Sequence, residues 1–362
     1  MIAAARSTAR RAERRHSPHG TGVGAMAHHV SKYGLLMLLV LVFIAFSVAK
    51  PGQFDTWDNV KYTFDQQTPV IIGGLAILIP LLTDSIDLSV GANISLGNIL
   101  LAVLTTNHGV ATPVAVATAI ATCTGVGLIN GLIVEKMQVT SFVATLAMAT
   151  VLSGIGLAVS HSADILTVPA TVRSMVRPEF IGLPLSIYYG IVCGLIVALV
   201  LRYLPVGRKL RAVGANPRAA ALTGIRPGLY RIVSFALGGT LAGIAGVVIT
   251  GQFGSATAAG TANGMLLPIF AAVFLGSTAF TPGRINVLGL FVAALFLAFV
   301  SSGLVLLGAP LWLSPVINGT ALILAVAQSS WALRIRARHF RIQQLKELER
   351  EETAASAQAA PK

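Results

Sequence analysis

The sequence predicts an all-α polytopic membrane protein of about ten transmembrane helices, some of them short or broken, with both termini cytoplasmic. Three observations predict it. The 362 residues are 55% hydrophobic and only 11% charged, against roughly 25% charged in soluble domains, which leaves too few polar side chains to cover a water-facing globule. Apolar runs near membrane-spanning length recur through the chain. Threaded alternately across a bilayer, these runs leave most of the basic residues on one side.

A hydrocarbon core about 30 Å thick needs roughly 20 helical residues, fewer where the backbone breaks. Ten runs meet or approach this: residues 35–49, 70–82, 90–104, 114–134, 142–159, 187–204, 232–249, 266–280, 285–307 and 311–331, of which the second, third and eighth are short. Before them, residues 1–33 are rich in Ala, Arg and His and are expected to be a disordered, basic cytoplasmic arm. The first run ends in Ser47-Val48-Ala49, a small-x-small pattern that also suits signal-peptide cleavage. The arm is long for the n-region of such a peptide, and the other nine runs keep their orientation either way.

Residues 34–332 are expected to form the transmembrane domain. Within it, Gly127 with Gly131, and Gly239 with Gly243, are small-xxx-small pairs that let helices approach closely. Residues 206–231 interrupt the apolar pattern with six basic residues and no acid, the composition of a cytoplasmic loop. Residues 333–362 are expected to be a cytoplasmic tail. It is helical and basic at first, with Arg334, Arg336, Arg338 and Arg341 meeting anionic lipid headgroups, and unstructured from Thr353. With the N-terminal arm placed inside, only Lys50, Lys61, Arg173 and Arg177 of the 26 Lys and Arg residues fall outside. A missed or invented span in the middle would scramble that asymmetry.

Several functions are excluded. The net charge of +13 does not point to nucleic acid, because the basic residues flank apolar runs and form no stripe interleaved with exposed aromatics. Cys123 and Cys193 lie inside apolar runs without metal or disulfide spacing. No Lys is followed by Ser or Thr, so the chain has no Walker A loop, and it has no H-E-x-x-H, no G-x-S-x-G and no histidine within a span. Only Asp84 and Asp87 approach the membrane interior as ionisable groups. Transport powered by another subunit is the leading reading, with no cofactor bound by this chain.

Three stretches carry a resemblance. The first is Leu82-Thr83-Asp84-Ser85-Ile86-Asp87-Leu88-Ser89-Val90-Gly91. The second runs from Gly207 to Ile225 and includes Ala212-Val213-Gly214-Ala215-Asn216-Pro217 and Ala219-Ala220-Ala221-Leu222-Thr223-Gly224-Ile225. The third is Phe274-Leu275-Gly276-Ser277, followed by Pro282-Gly283-Arg284 and Gly303-Leu304-Val305-Leu306-Leu307-Gly308. Together, over about residues 60–330, they resemble the permease subunits of bacterial ATP-binding-cassette sugar importers of the ribose-type branch, whose G-I-D-L-S-V-G signature the first stretch follows with Ser85 in place of glycine. The resemblance implies a multi-pass protein of the bacterial plasma membrane. Its implied partners are a cytoplasmic ATPase, an extracytoplasmic solute-binding protein, and a second permease copy or a homologue, with lipid around them.

The second stretch has a physical role of its own. Asn216-Pro217 is a helix start, with Asn capping and Pro in the first turn, and the helix-prone run stops at Gly224. A short helix in a polar loop presents Leu222 and Ile225 as knobs for a groove in a cytoplasmic partner, with Arg218 and Arg226 as the charged rim and Ala220 in the helix between. The resemblance makes that partner the ATPase. The alternative is a basic loop that merely follows the inside-positive pattern. In the first stretch, Asp87 is a candidate cap for the third helix. The same turn is also a candidate lining of the translocation path, with Asp84, Ser85 or Ser89 touching passing hydroxyls and Gly91 just beyond.

Residues 266–289 echo that layout, with a polar turn at Pro282, Gly283 and Arg284 between two apolar runs. The family commonly carries an acid near positions 266 and 267, where this chain reads Gly264-Met265-Leu266-Leu267-Pro268. The outer loop at 251–264 carries no charge, so the departure bears on the solute more than on the architecture. In the outer loop at 161–186, Arg173 and Arg177 are candidate contacts for the binding protein, or else simply solvate the loop. The expected function is import of a sugar or sugar-like solute. The rivals are an ion-coupled secondary carrier using Asp84 or Asp87, and a non-transporting scaffold.

Overall fold

The computed structural model describes residues 22–258, 260, 263–280, 284–310 and 312–328, and the chain folds almost entirely into helices. In order these are α1 (Gly22–Ala49), α2 (Trp57–Leu81), α3 (Val90–Thr106), α4 (Thr112–Lys136), α5 (Ser141–Val159), the single turn α6 (Ala170–Arg173), α7 (Leu185–Tyr203), α8 (Pro205–Ala215), α9 (Pro217–Leu222), α10 (Pro227–Phe253), α11 (Leu266–Gly276) and α12 (Val287–Leu306). A last helix, α13 (Leu313–Gln328), follows. Strands β1 (Glu179–Phe180) and β2 (Leu183–Pro184) pair as a small antiparallel hairpin before α7, and Ile165 bridges Ala256.

Seven helices, α1, α2, α4, α5, α7, α10 and α12, are long and apolar enough to cross a membrane; α3, α11 and α13 are shorter apolar helices. Each of the ten apolar runs thus contains one helix, with shifted ends. The largest shifts are at the starts of α1 and α2, the latter expected from residue 70 but starting at Trp57. Its first half, with Asp58, Lys61, Asp65 and Gln66, is too polar to register as a span, yet Thr56 caps it by accepting the Asn59 N–H at 3.3 Å. In α1 the helix begins at Gly22, inside the arm expected to be disordered, because no proline interrupts the stretch between Gly22 and Lys32. Residues 1–21 and the tail from 329 onward lie outside the described residues, as does Gly283.

The centre of the fold is α10. It packs against α2, α3 and α4 through glycines, as the small-xxx-small spacing predicts. A methyl at Gly127 would lie 2.2 Å from the Phe235 carbonyl oxygen, one at Gly239 2.3 Å from the Cys123 oxygen, and one at Gly246 2.7 Å from the Ile94 oxygen. Backbone meets backbone along most of this helix, with few side chains between. On the far side of α2, α12 and α11 complete the main core around Ile72, Leu75, Ile269 and Leu290. Helix α1 is held to α12 by rings: Phe43 stacks edge-on against Phe299 at 5.3 Å, and Phe46 fills the space at Gly303.

Polar contacts between elements occur at both ends of the bundle. At one end Arg231 pairs with Glu135, the Phe280 N–H donates to the Lys32 carbonyl, and Thr83 meets Ser234. At the other, Lys61 pairs with Glu179, Arg177 donates to the Gln252 carbonyl, and Thr112 meets Thr171.

Candidate functional site

The chain turns sharply twice after α7. No side chain fits at Gly207, where a methyl would lie 2.5 Å from the Leu201 Cα, so α8 folds back against the end of α7. In α8, Leu210 and Val213 are buried, while Lys209 lies over the Tyr230 ring at 5.4 Å. Asn216 then caps α9, its Oδ1 accepting the Ala219 N–H at 3.0 Å, with Pro217 in the first turn. The helix stops at Gly224, whose φ of 82° is natural only for glycine. Along α9, Ala220 is buried, Ile225 beyond it is half-buried and Arg218 is exposed, while Leu222 is 91% exposed. An isolated leucine this bare, on a helix fixed at both ends, is a knob without a hole in this chain.

Gly214 does not face outward with it. It lies against the turn after α2, where a methyl would come within 2.1 Å of the Leu82 carbonyl oxygen. The fold thereby joins two stretches more than 120 residues apart, the loop at 206–231 and the turn at 82–89.

That turn is held from all sides. Thr83 Oγ1 is 3.2 Å from Ser234 Oγ of α10, the Ile86 N–H donates to Ser141 Oγ and the Leu88 N–H to Thr145 Oγ1 of α5. Asp84 is exposed and left-handed, at φ 57°. Ser85, Asp87 and Ser89 are buried. Asp87 is not itself the residue that caps α3: Ser89 occupies that position, and Asp87 Oδ1 accepts both the N–H and the hydroxyl of Ser89, at 2.9 and 2.6 Å. Asn130 of α4 donates to Ser89 Oγ at 2.8 Å, closing a buried chain of three polar residues. A carboxylate here sits just before a helix N-terminus, where the peptide dipoles favour negative charge.

On the other flank of α3 the backbone does something the sequence did not suggest. The segment after α10 was expected as an outer loop. Instead it descends along α3: Asn98 donates to the Ser255 carbonyl, Ala258 and Gly260 lie beside Ser95 and Ile99, and Leu266 reaches Gly91. Helix α11 therefore starts part-way down the bundle, and 11 residues suffice for it, since they span about 16 Å. Non-helical backbone at membrane depth is tolerated only where protein or a cavity surrounds it. Here a groove of about 270 Å³ opens between α3, α5 and α11, lined by Leu88, Gly91, Ala92, Leu146, Ala149, Thr150, Ser153 and Leu266. A smaller hollow above it shares Ser153 and adds Ser95 and Thr257. The groove lining carries hydroxyls and no charge.

The chain matches the family described as branched-chain amino acid transport system / permease component over residues 60–326. The chain belongs to this permease family. Among its relatives, the probable ABC transporter permease protein YphD of Escherichia coli (strain K12) is 30% identical over 85% of this chain and 93% of its own length. The ribose import permease protein RbsC of the same organism is 32% identical over 81% and 91%. The autoinducer 2 import system permease protein LsrC of Salmonella choleraesuis (strain SC-B67) is 30% identical over 80% and 82%. The permease is thus a multi-pass protein of the bacterial inner membrane, a transport component in the ribose-type branch of the ABC importers.

In the permease the remaining expected site residues are dispersed. Arg177 stays exposed while donating through Nε and Nη2 to the Gln252 carbonyl at 3.3 and 2.8 Å, and Arg173 lays its aliphatic stem on Gly254. Arg284 is exposed near the start of α12, where Asn286 is the cap and accepts the Gly289 N–H. The sequence reading also overlooked a third acid, in a helix long and apolar enough to cross a membrane. Asp65 in α2 accepts from Ser186 and, at 2.9 Å, from Gln252, tying α2, α7 and α10 together. It went unnoticed because the span was started at residue 70, thirteen residues after α2 begins. Asn93, Asn98 and Asn130 were missed as well; amides inside apolar helices were the available signal. Asn93 and Asn130 each keep a buried side-chain oxygen without a protein partner, as does Gln252.

Proposed function

We propose that this permease passes a sugar or sugar-like solute into the cytoplasm, using ATP hydrolysed by a separate subunit and solute delivered by an extracytoplasmic binding protein. The observation that carries the reading is the bare Leu222 knob on α9, joined through Gly214 to the turn at 82–89 and so to the base of the α3–α5 groove. In this reading the chain crosses the bilayer ten times, the non-helical segment before α11 completing the crossing that this short helix does not make alone, both termini are cytoplasmic, and α8–α9 lies at the cytoplasmic face. Residues Asn216, Pro217, Arg218, Leu222, Gly224 and Ile225 form the surface that docks the ATPase, with Ala220 buried beneath them. The stroke reaches Leu82 and Thr83 through Gly214, and from them Asp84, Ser85, Asp87, Ser89 and Gly91.

The groove between α3 and α5 is the solute path. Its hydroxyls and small residues suit a neutral polyhydroxylated molecule, because weak hydrogen bonds permit both entry and release. A second permease copy, or a homologue, supplies the facing wall. On the opposite face Arg173 and Arg177 form part of the surface that receives the binding protein, and Arg284 lies at the cytoplasmic turn before α12. No cofactor is held by this chain.

The test is reconstitution of the permease in proteoliposomes with its cognate ATPase and binding protein, using radiolabelled sugars. Uptake requiring ATP and all three components supports the reading. Uphill accumulation by the permease alone, driven by an ion gradient, overturns it.

A further inference from the structure

A second crevice lies away from the solute groove. It is enclosed by α2, α7 and α12, has a volume of about 250 Å³, and is walled by Val60, Phe64, Ile71, Ile187, Ile191 and Phe291. Its residues on α2 recur at Trp57, Val60, Lys61, Phe64, Thr68 and Ile71, a single helix face. From Trp57 to Ile71 that face runs about 21 Å along the axis, the distance from an interface to beyond the midplane of a hydrocarbon core about 30 Å thick. Gly190 contributes the narrowest point, where its missing side chain leaves room beside Thr68.

The two ends of this crevice differ. The deep end is apolar but for Thr68, whose hydroxyl donates to the Phe64 carbonyl of its own helix. At the mouth stand Trp57, 60% exposed, and Lys61. Lys61 Nζ is 2.8 Å from Glu179 Oε1 and 3.5 Å from Asp58 Oδ1, and the two carboxylate side chains are 50% and 89% exposed. An ammonium carries three donors, so Lys61 keeps one beyond these two acceptors. The mouth is therefore a positive centre flanked by two accessible negative ones, next to a tryptophan of the kind that anchors at headgroup level.

We infer that this crevice holds one acyl chain of a zwitterionic phospholipid of the ethanolamine type, with its phosphate on Lys61 and its ammonium on Asp58 and Glu179. Charge complementarity selects the occupant. An anionic glycerol lipid would bring hydroxyls but no positive charge to two carboxylates, whereas the ethanolamine headgroup presents the matching pair of charges. The bound chain fills the gap between α2, α7 and α12 that the protein leaves open. The inference depends on the membrane location of the chain and not on which solute it carries.

Trp57 reports on the site directly, being one of three tryptophans. A chain carrying Trp312→Phe and Trp331→Phe is reconstituted in vesicles of mixed phosphatidylethanolamine and phosphatidylglycerol, with brominated acyl chains on one lipid at a time and at equal mole fraction. Trp57 fluorescence is expected to be quenched about threefold more efficiently by brominated phosphatidylethanolamine, the preference that weak exposed charge pairs supply. Replacing both acids, Asp58→Asn and Glu179→Gln, is expected to remove the preference while leaving Trp57 in contact with lipid. Equal quenching by the two lipids in the parent chain overturns the inference, as does preference for phosphatidylglycerol. Absence of quenching by either also overturns it, since the crevice is then sealed by another protein chain.

Discussion

Gly214 of α8 presents its Cα to the carbonyl of Leu82, so closely that a methyl group there would lie 2.1 Å from the oxygen. Contact between two backbones has no rotamer to absorb a displacement, and close-packed interiors transmit strain. Any movement of α8 and α9 must therefore carry the turn at 82–89 with it or break the contact. Predictions about this pair, and about the surfaces on either side of it, follow from the same geometry.

Replacing Gly214 by Ala forces the loop and the turn apart, an overpacking that costs about 1–3 kcal/mol. Leu222 is left in place, so the ATPase is expected to co-purify as before while solute uptake per ATP hydrolysed falls. Loss of co-purification with normal thermal stability would place Gly214 on the docking surface.

Leu222→Asp is expected to do the reverse. The side chain is 91% exposed, so the melting temperature of the isolated permease should not move, since surface changes stay within about 0.5 kcal/mol. Association with the ATPase should weaken at least tenfold, as for a truncated hot-spot residue worth about 2 kcal/mol. Titration of the ATPase onto immobilised permease measures it.

Gly127→Ala is expected to unseat α4 from α10, because the new methyl would lie 2.2 Å from the Phe235 oxygen. Gly125→Ala, two residues earlier on the same helix, meets nothing within 4 Å and should be neutral or stabilising by up to about 1 kcal/mol through helix propensity. Thermal unfolding of the two variants in detergent, side by side, decides whether the glycine spacing acts by packing.

Asp84 separates conformation from charge. Its φ of 57° is one that glycine adopts freely, so Asp84→Gly should keep or raise stability and leave ATP-dependent uptake intact. Asp84→Val should cost about 1–2 kcal/mol at the same position. Abolition of uptake in the glycine variant would assign the carboxylate itself a transport role, as an ion-coupled carrier requires.

Ser153 lines both hollows along α3. A phenylalanine there should fill the groove and stop uptake while the ATPase remains bound and active. Undiminished uptake by Ser153→Phe would move the solute path elsewhere.

Much of this architecture was legible in the residues. The ten apolar runs each hold a helix, the Asn216-Pro217 pair starts α9 and Gly224 ends it, and the paired glycines of α4 and α10 meet. The site was less legible. Asp65 was passed over because a polar half-helix lowers mean hydropathy even when a cap and tertiary packing keep it helical. The descent of residues 255–258, 260 and 263–265 along α3 left no trace in composition, since small neutral residues serve equally in a surface loop and in a buried one.

By itself the sequence determined that this chain lives in a bilayer, where its spans begin and end to within a turn or so for most of them, and which family it resembles. Those properties follow from transfer of side chains between water and lipid, which each stretch settles locally. Only the tertiary structure decided that Gly214 rests on Leu82, that Asn130 reaches the Asp87–Ser89 turn, and that α11 begins deep in the bundle. Such contacts join residues far apart in the chain, and they depend on which helix backbones can approach one another, a property no single segment contains.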